Sequence, residues 1–135
     1  MGCKMARAYY QRACVLMDLE KKEESFADFY TAYEIYDSVK NKDDVFISDL
    51  AYTSYALTTL SLDLQIGIDY WHILQAGANS MSLLLYYRRG WGELTWLMEV
   101  ILGYMETVTS LPDWSSHRKM YEDYKKEYEN YKKRS

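Results

Sequence analysis

Apolar residues recur every three or four positions along the chain, and the pattern repeats from one segment to the next. This spacing is typical of one face of an α-helix. It predicts an all-α fold of about five to six antiparallel helices, packed as an array or bundle, with no sheet. The helical segments are expected at about 4–19, 26–39, 45–64, 68–88, 92–110 and from about 115 to near the C-terminus.

Each of the first two segments presents an apolar stripe. The polar sequence KKEES, at positions 21–25, is expected to bend or interrupt the helix between them. The predicted stripes are Met5, Tyr9, Leu16 and Leu19 in the first segment and Phe26, Phe29, Tyr33 and Tyr36 in the second.

The fourth segment differs because apolar residues cover every direction around it, which predicts a central helix enclosed by others. Gly77 and its two alanine neighbours offer small side chains where another helix can approach closely. The third and fifth segments are expected to pack against it. Their stripes are Phe46, Leu50, Thr53, Leu57, Leu60 and Leu64 in the third segment and Leu94, Leu97, Ile101, Met105 and Val108 in the fifth.

Capping and breaking residues predict the segment boundaries. Asp43 or Asp44 is expected to cap the third helix, and Gly67 to mark its end. Gly90 is expected to close the fourth helix, after two arginines that suit the negative end of the helix dipole. LPDW, at 111–114, stops the fifth helix, and Asp113 or Ser115 is expected to cap the sixth.

The last segment is more than half charged and carries tyrosines at intervals of three and four. The pattern favours a peripheral helix that lays a tyrosine stripe on the bundle. A partner-binding helix or a dimer seam is the alternative. The stripe consists of Tyr121, Tyr124, Tyr128 and Tyr131, with His117 extending the row.

The size of the chain predicts a single domain over residues 1–135. Cys3 and Cys14 would stand about 16 Å apart on one helix, too far for a disulfide, which favours a reducing compartment. No secretory leader pattern precedes them. The apolar stretch 74–105 is interrupted by polar residues and glycines, so neither half is expected to span a membrane.

The chain has a net charge of −4 and no broad basic region, so nucleic acid is not an expected partner. The acidic character serves solubility or attracts a basic protein. Both interpretations remain open.

Motifs for catalysis, cofactors and metals are missing from the sequence. The chain has two histidines, and His72 is expected to be a core or boundary residue bonded to Asp69 or to a carbonyl. No Glu-x-x-His pair, nucleophile elbow or phosphate-binding loop occurs. The sequence therefore predicts a protein that is not an enzyme, with no cofactor and no metal.

The stretch SDLAYTSYALTTLSLDLQIGIDYWHILQAGANSMSLLLYYRRG, residues 48–90, resembles part of the helical immunity proteins of bacterial polymorphic-toxin systems. It is also similar in outline to tetratricopeptide-like helical hairpins. The matching positions are structural, so the resemblance carries over no functional residues. It implies a cytoplasmic protein that neutralises one cognate toxin by binding it.

Three function classes follow. The first is a protein-binding inhibitor, either an immunity protein or a phage-encoded blocker of a host defence protein. The others are a helical adaptor or structural protein, with a homodimer as one form, and a ligand-sensing helical domain. For an inhibitor we expect binding through the N-terminal helices and the adjoining loop, where aromatic and acidic residues gather. The predicted binding residues are Tyr30, Tyr33, Tyr36, Asp37, Asp43 and Asp44, of which Tyr33 is the first expected to pack inward.

Overall fold

A computed structural model describes residues 2–39, 43–87 and 94–134. These residues form six α-helices and contain no strand, so the predicted all-α fold is confirmed. The helices are α1 (Gly2–Asp18), α2 (Lys22–Ser38), α3 (Asp44–Leu64), α4 (Tyr70–Tyr87), α5 (Thr95–Thr109) and α6 (Arg118–Arg134), with a 3₁₀ helix at Pro112–His117 before α6.

Consecutive helices pack against each other, and the odd-numbered helices also touch in the order α1, α3, α5. On the other side of the molecule α4 contacts α6, and α2 packs on α1 and α3. α3 therefore lies at the centre, with α1 and α5 beside it and with α2 and α4 covering it. None of the helices in the described ranges has both the length and the apolarity needed to cross a bilayer.

The predicted packing of α4 against α3 and α5 is confirmed, and α4 also contacts α6. The prediction that other helices enclose α4 on every side is wrong, because Leu83 is 43% exposed and the central helix is α3. Gly77 lies at the closest approach: a Cβ placed there would be 2.8 Å from the Cβ of Ser54 and 3.0 Å from the Cδ1 of Ile101. Only a residue without a side chain fits this position. The close packing of α4 against α3 and α5 thus depends on it.

α3 is also enclosed, because serine and threonine fill positions where its neighbours come near. Thr53, Ser54 and Thr58 are almost fully buried, and their hydroxyls donate to carbonyls one turn earlier in the same helix. Such bonds satisfy the hydroxyl without a partner from another helix. The stripe predicted for α3 is correct, but it covers only part of the buried surface.

The stripe predicted for α1 is wrong, because Met5 and Leu19 are 57% and 61% exposed. The buried positions are Ala6 and Ala13, where α2 approaches closely. Ser25 of α2 donates its hydroxyl to the carbonyl of Ala13 at 2.8 Å. Alanine is only weakly hydrophobic and occurs on both buried and exposed faces. The sequence pattern therefore favours the larger apolar side chains of α1 as core residues.

Most predicted boundaries agree with the structure. α1 ends before Glu20, which adopts a left-handed conformation, and Asp43 caps α3 by accepting the amide of Phe46. α3 ends at the left-handed Gln65, two residues before Gly67. The predicted cap at Gly90 and its two arginines lie outside the described residues.

α6 matches the peripheral-helix interpretation, with Tyr121 and Tyr128 buried against the bundle. Their hydroxyls donate to Glu106 and Glu99 of α5. The predicted cap by Asp113 or Ser115 is replaced by the 3₁₀ turn, in which the Ser115 hydroxyl donates to the carbonyl of Pro112.

Candidate functional site

The structure divides the predicted binding residues into exposed and buried ones. Tyr30 is 37% exposed, and Asp37 and Asp43 are exposed as well. Tyr33 and Tyr36 are only 5% and 1% exposed, so their side chains are not available to a partner in this conformation. The side chain of Asp44 lies outside the described ones.

Tyr36 was expected to bind a partner, and it has a structural position instead. Its hydroxyl donates to Asp49 at 2.9 Å, and the same carboxylate oxygen accepts the guanidinium of Arg7 at 2.7 Å. Burial raises the pKa of Asp49 although both neighbours favour its ionised form. This cluster connects α1, α2 and α3, because each helix contributes one of its three side chains.

Tyr33 packs inward as expected. Its ring meets the imidazole of His72 edge to face, with the centroids 6.2 Å apart. Its hydroxyl is buried and has no hydrogen-bond partner among the described residues. Burial also raises the pKa of this phenol, followed by the charge of Asp37.

His72 differs from its predicted environment. Asp69 accepts the backbone amide of His72 at 3.1 Å and so caps the start of α4, rather than bonding the imidazole. The imidazole is largely exposed, and its Nε2 lies 3.4 Å from Asp37. His72 and Asp37 thus join the exposed edges of α4 and α2.

The outer sides of α2 and α4 border two separate depressions, which we together call the α2–α4 groove. In the first, Asp37, Ala76 and Leu83 surround a space of about 220 Å³ that is also lined by Ile47 and Leu50 of α3. The second is a wider and more open space of about 610 Å³ between α2 and the α3–α4 loop. It is lined by Phe26, Tyr30, Ile66, Gly67, Ile68 and Asp69.

The groove has mainly apolar lining residues, with neutral polar groups at Asn79 and Ser80 and two acidic residues. Asp37 and Asp69 are its charged lining residues, and no Lys or Arg is among the described residues that line it. Tyr30 adds an exposed aromatic ring that contacts Phe26 and Tyr33. An apolar surface with acidic margins can accept a partner's hydrophobic side chain and pair with adjacent basic groups.

A second exposed surface was missed at the sequence level. On the opposite side of α3, the rings of Tyr52 and Tyr55 lie 5.6 Å apart, and Tyr55 meets Trp96 of α5 edge to face at 5.7 Å. Thr59 shares a 2.8 Å hydrogen bond with the hydroxyl of Tyr104. We call these five residues and their exposed neighbours on α3 and α5 the aromatic face. In the sequence, the α3 part of this face is visible as uncharged residues at helical spacing, at positions 48, 52, 55, 59 and 62.

The described part of the chain offers no cluster of metal ligands, and the thiol of Cys14 is partly buried. No group of three or more His, Cys, Asp or Glu side chains there is placed to hold a metal ion. Cys14 is a free thiol whose pKa is raised by burial, which keeps it in the poorly nucleophilic protonated form. Comparison with known proteins adds no assignment, since no family model, curated protein or solved structure matches the chain.

Proposed function

We propose that the protein is a non-enzymatic inhibitor that binds a basic protein through the α2–α4 groove, acting as a cytoplasmic immunity protein against a cognate toxin. The observation that carries the proposal is the groove itself, two mainly apolar depressions lined by Asp37 and Asp69 and by no described basic residue. The aromatic ring of Tyr30 adds the residue type that is enriched at binding hot spots.

The acidic charge would increase the rate of association with a basic partner as well as the affinity for it. An inhibitor must reach its target before the target acts, and complementary charge accelerates diffusional encounter. A net charge of −4 gives the whole molecule the sign that attracts a basic enzyme such as a nuclease. The groove places two of the acidic groups beside the apolar surface that would be buried.

The set of residues proposed for contact is smaller than the set predicted from the sequence. Tyr30 and Asp37 remain, and Asp69 and Phe26 join them because they line the same groove. Tyr36 is buried and bonds to Asp49, and Asp43 caps α3 and is not among the residues that line the groove, so neither is proposed for contact. Tyr33 supports the ring of His72 from below.

The test is affinity capture of a partner from lysate of the source cells, using the wild-type chain, Asp37→Lys and Asp123→Lys. Asp123 is exposed on α6, so its reversal changes the net charge equally but away from the groove. We expect the wild type and Asp123→Lys to capture one basic protein that Asp37→Lys captures poorly. Equal capture by all three would place the binding site elsewhere.

The inhibitory step is tested by expressing the captured protein alone and together with this chain. We expect the captured protein to arrest growth unless the chain is present. The identity of that protein separates the variants of the proposal, because a toxin supports immunity and a host defence protein supports the phage-encoded blocker. A partner whose activity is unchanged by binding would contradict inhibition and favour an adaptor.

A further inference from the structure

We infer that the second depression of the α2–α4 groove is a site for one cationic side chain of the protein partner, an arginine or a lysine, held by two aromatic rings and a carboxylate. Phe26 and Tyr30 line this depression from α2, and Asp69 lines it from the loop that precedes α4. The inference rests on the proposed function for the partner, and it goes further by naming the chemical group that enters.

The two rings offer a surface that attracts a cation. Phe26 and Tyr30 lie one helical turn apart on α2, with ring centroids separated by 6.0 Å and ring planes tilted by 36°. Tyr30 is 37% exposed and Phe26 is half-buried, so both are accessible from the open space that they line. The faces of such rings attract ammonium and guanidinium groups, and their carbon atoms pack against the aliphatic stem of the same side chain.

Asp69 supplies the negative charge. One of its carboxylate oxygens, Oδ1, accepts the backbone amide of His72 at 3.1 Å, and this bond offsets the positive end of α4. The side chain is exposed and forms no ion pair with any described residue. The carboxylate can therefore pair with a charged donor that comes from a partner.

Basic residues of the chain itself are absent around this depression. Positions 23–39 and 43–87 contain ten Asp or Glu and no Lys or Arg. Lys22 begins α2 one turn before Phe26, but its ammonium lies 3.4 Å from Asp63 and it does not line the depression. The imidazole of His72 lies against Asp37 and likewise is not part of the lining. The site thus has acidic charge that no described cation neutralises.

This combination selects a cation over other groups. An uncharged apolar side chain placed here would take water away from the carboxylate of Asp69 without giving it a partner, which costs free energy. An anion would be repelled by the same carboxylate. A lysine or arginine can lay its stem on the rings of Phe26 and Tyr30 while its charged end meets Asp69.

NMR titration of the isotope-labelled chain with N-acetyl-arginine N-methylamide at low salt tests the inference without any protein partner. The lysine analogue separates the two cationic groups, and the citrulline analogue keeps the shape of arginine without its charge. We expect saturable shifts of backbone amides centred on positions 26–30 and 66–69. The dissociation constant for the citrulline analogue should be about 5-fold or more higher, since both the ion pair and the cation–π contact are lost.

Three variants locate the site. Tyr30→Leu removes a ring and should raise the dissociation constant of the arginine analogue about 2- to 5-fold, as for the loss of an exposed cation–π contact. Asp69→Asn removes the charge but keeps a side-chain oxygen for the amide of His72, and it should weaken binding at least as much. Asp43→Asn is the matched control, because Asp43 caps α3 in the same way and lines neither depression. It should bind as the wild type does.

Equal affinity for the arginine and citrulline analogues would overturn the inference, and so would unchanged binding in either Tyr30→Leu or Asp69→Asn. Shifts that are scattered over the acidic surface and do not saturate would overturn it as well. The inhibitor proposal fails separately. A partner captured equally by the wild type and these two variants would remove the cation site and leave inhibition intact, whereas a saturable site in a chain that captures no partner would do the reverse.

Discussion

The two sides of α3 use tyrosine in opposite ways. Toward α2 and α4, Tyr33 and Tyr36 are buried under a groove whose exposed rim is acidic. Toward α1 and α5, Tyr52 and Tyr55 remain half-exposed beside the uncharged Ser48, Thr59 and Leu62. One central helix thus separates a groove with acidic residues at its rim from a half-exposed aromatic surface. The difference arises from the neighbours of each tyrosine and not from the residue type.

Alkaline pH should act on the buried phenols and unfold the whole molecule. Burial, followed by hydrogen bonds to Glu106 and Glu99, raises the pKa of Tyr121 and Tyr128 from 10.0 to about 12. Burial also raises the pKa of Tyr33 and Tyr36 on the groove side. Since the folded state holds these protons more tightly than the unfolded chain, their contribution to stability is complete below pH 10 and is lost as pH rises through 12.

Circular dichroism and tyrosinate absorbance, recorded together during a pH titration, check this expectation. We expect helix loss to accompany a late fraction of the tyrosinate signal. Complete ionisation near pH 10 with the helices intact would contradict the assigned burial.

Two glycines lie in opposite environments: Gly77 is at a close helix contact of α4, and Gly103 is on the open side of α5. Gly77→Leu should overpack the contact with Ser54 and Ile101 and lower the free energy of unfolding by about 1–3 kcal/mol or more. Gly103→Ala should raise it by about 0.5–1 kcal/mol, because its Cβ meets nothing within 4 Å and alanine favours the helix. Urea midpoints measure both, and an unchanged midpoint for Gly77→Leu would show that this site is open.

Tyr36 and Tyr30 form a second pair, one buried and one exposed on the same helix. Tyr36→Phe removes a hydrogen bond to the buried carboxylate of Asp49 and should cost about 1.5–3 kcal/mol of unfolding free energy. Tyr30→Phe should leave stability nearly unchanged. Equal urea midpoints in the two variants would mean that Tyr36 has no structural role beyond that of Tyr30.

The helical segments were predictable because large apolar side chains in α2, α4 and α5 follow helical spacing and are mostly buried. α1 and α3 were less predictable, since Ala6, Ala13 and the buried Ser54 and Thr58 look the same in sequence whether covered or exposed. Small residues enter a core only where a neighbouring helix approaches closely. That approach is a property of the packing and is not encoded in local periodicity.

The candidate site was predicted only in part, for a related reason. The sequence placed aromatic and acidic residues on α2, and Tyr30 and Asp37 are indeed exposed there. Tyrosine occurs both in cores and at interfaces. The burial of Tyr36 could not be predicted from α2 alone, because it depends on Asp49 of α3 and Arg7 of α1. The aromatic face was missed because α3 and α5 meet there through residues distant in sequence.

Asp43, which was predicted to bind a partner, caps the start of α3. Asp43→Ala should cost about 1 kcal/mol of unfolding free energy, because the amide of Phe46 loses its acceptor. Asp123→Ala on α6 is the matched control and should have little effect. A thermal or urea midpoint that does not distinguish the two variants would remove the capping assignment.

The central claim, that the acidic rim of the α2–α4 groove guides a basic partner, is tested most directly by association kinetics. Rates with the captured partner are measured at several ionic strengths for the wild type, Asp37→Lys and Asp123→Lys. We predict a wild-type rate that falls as salt is added, and for Asp37→Lys a rate several-fold lower at low salt with a weaker salt dependence. Asp123→Lys should remain close to the wild type. Identical rates and salt dependence for the wild type and Asp37→Lys would contradict the claim.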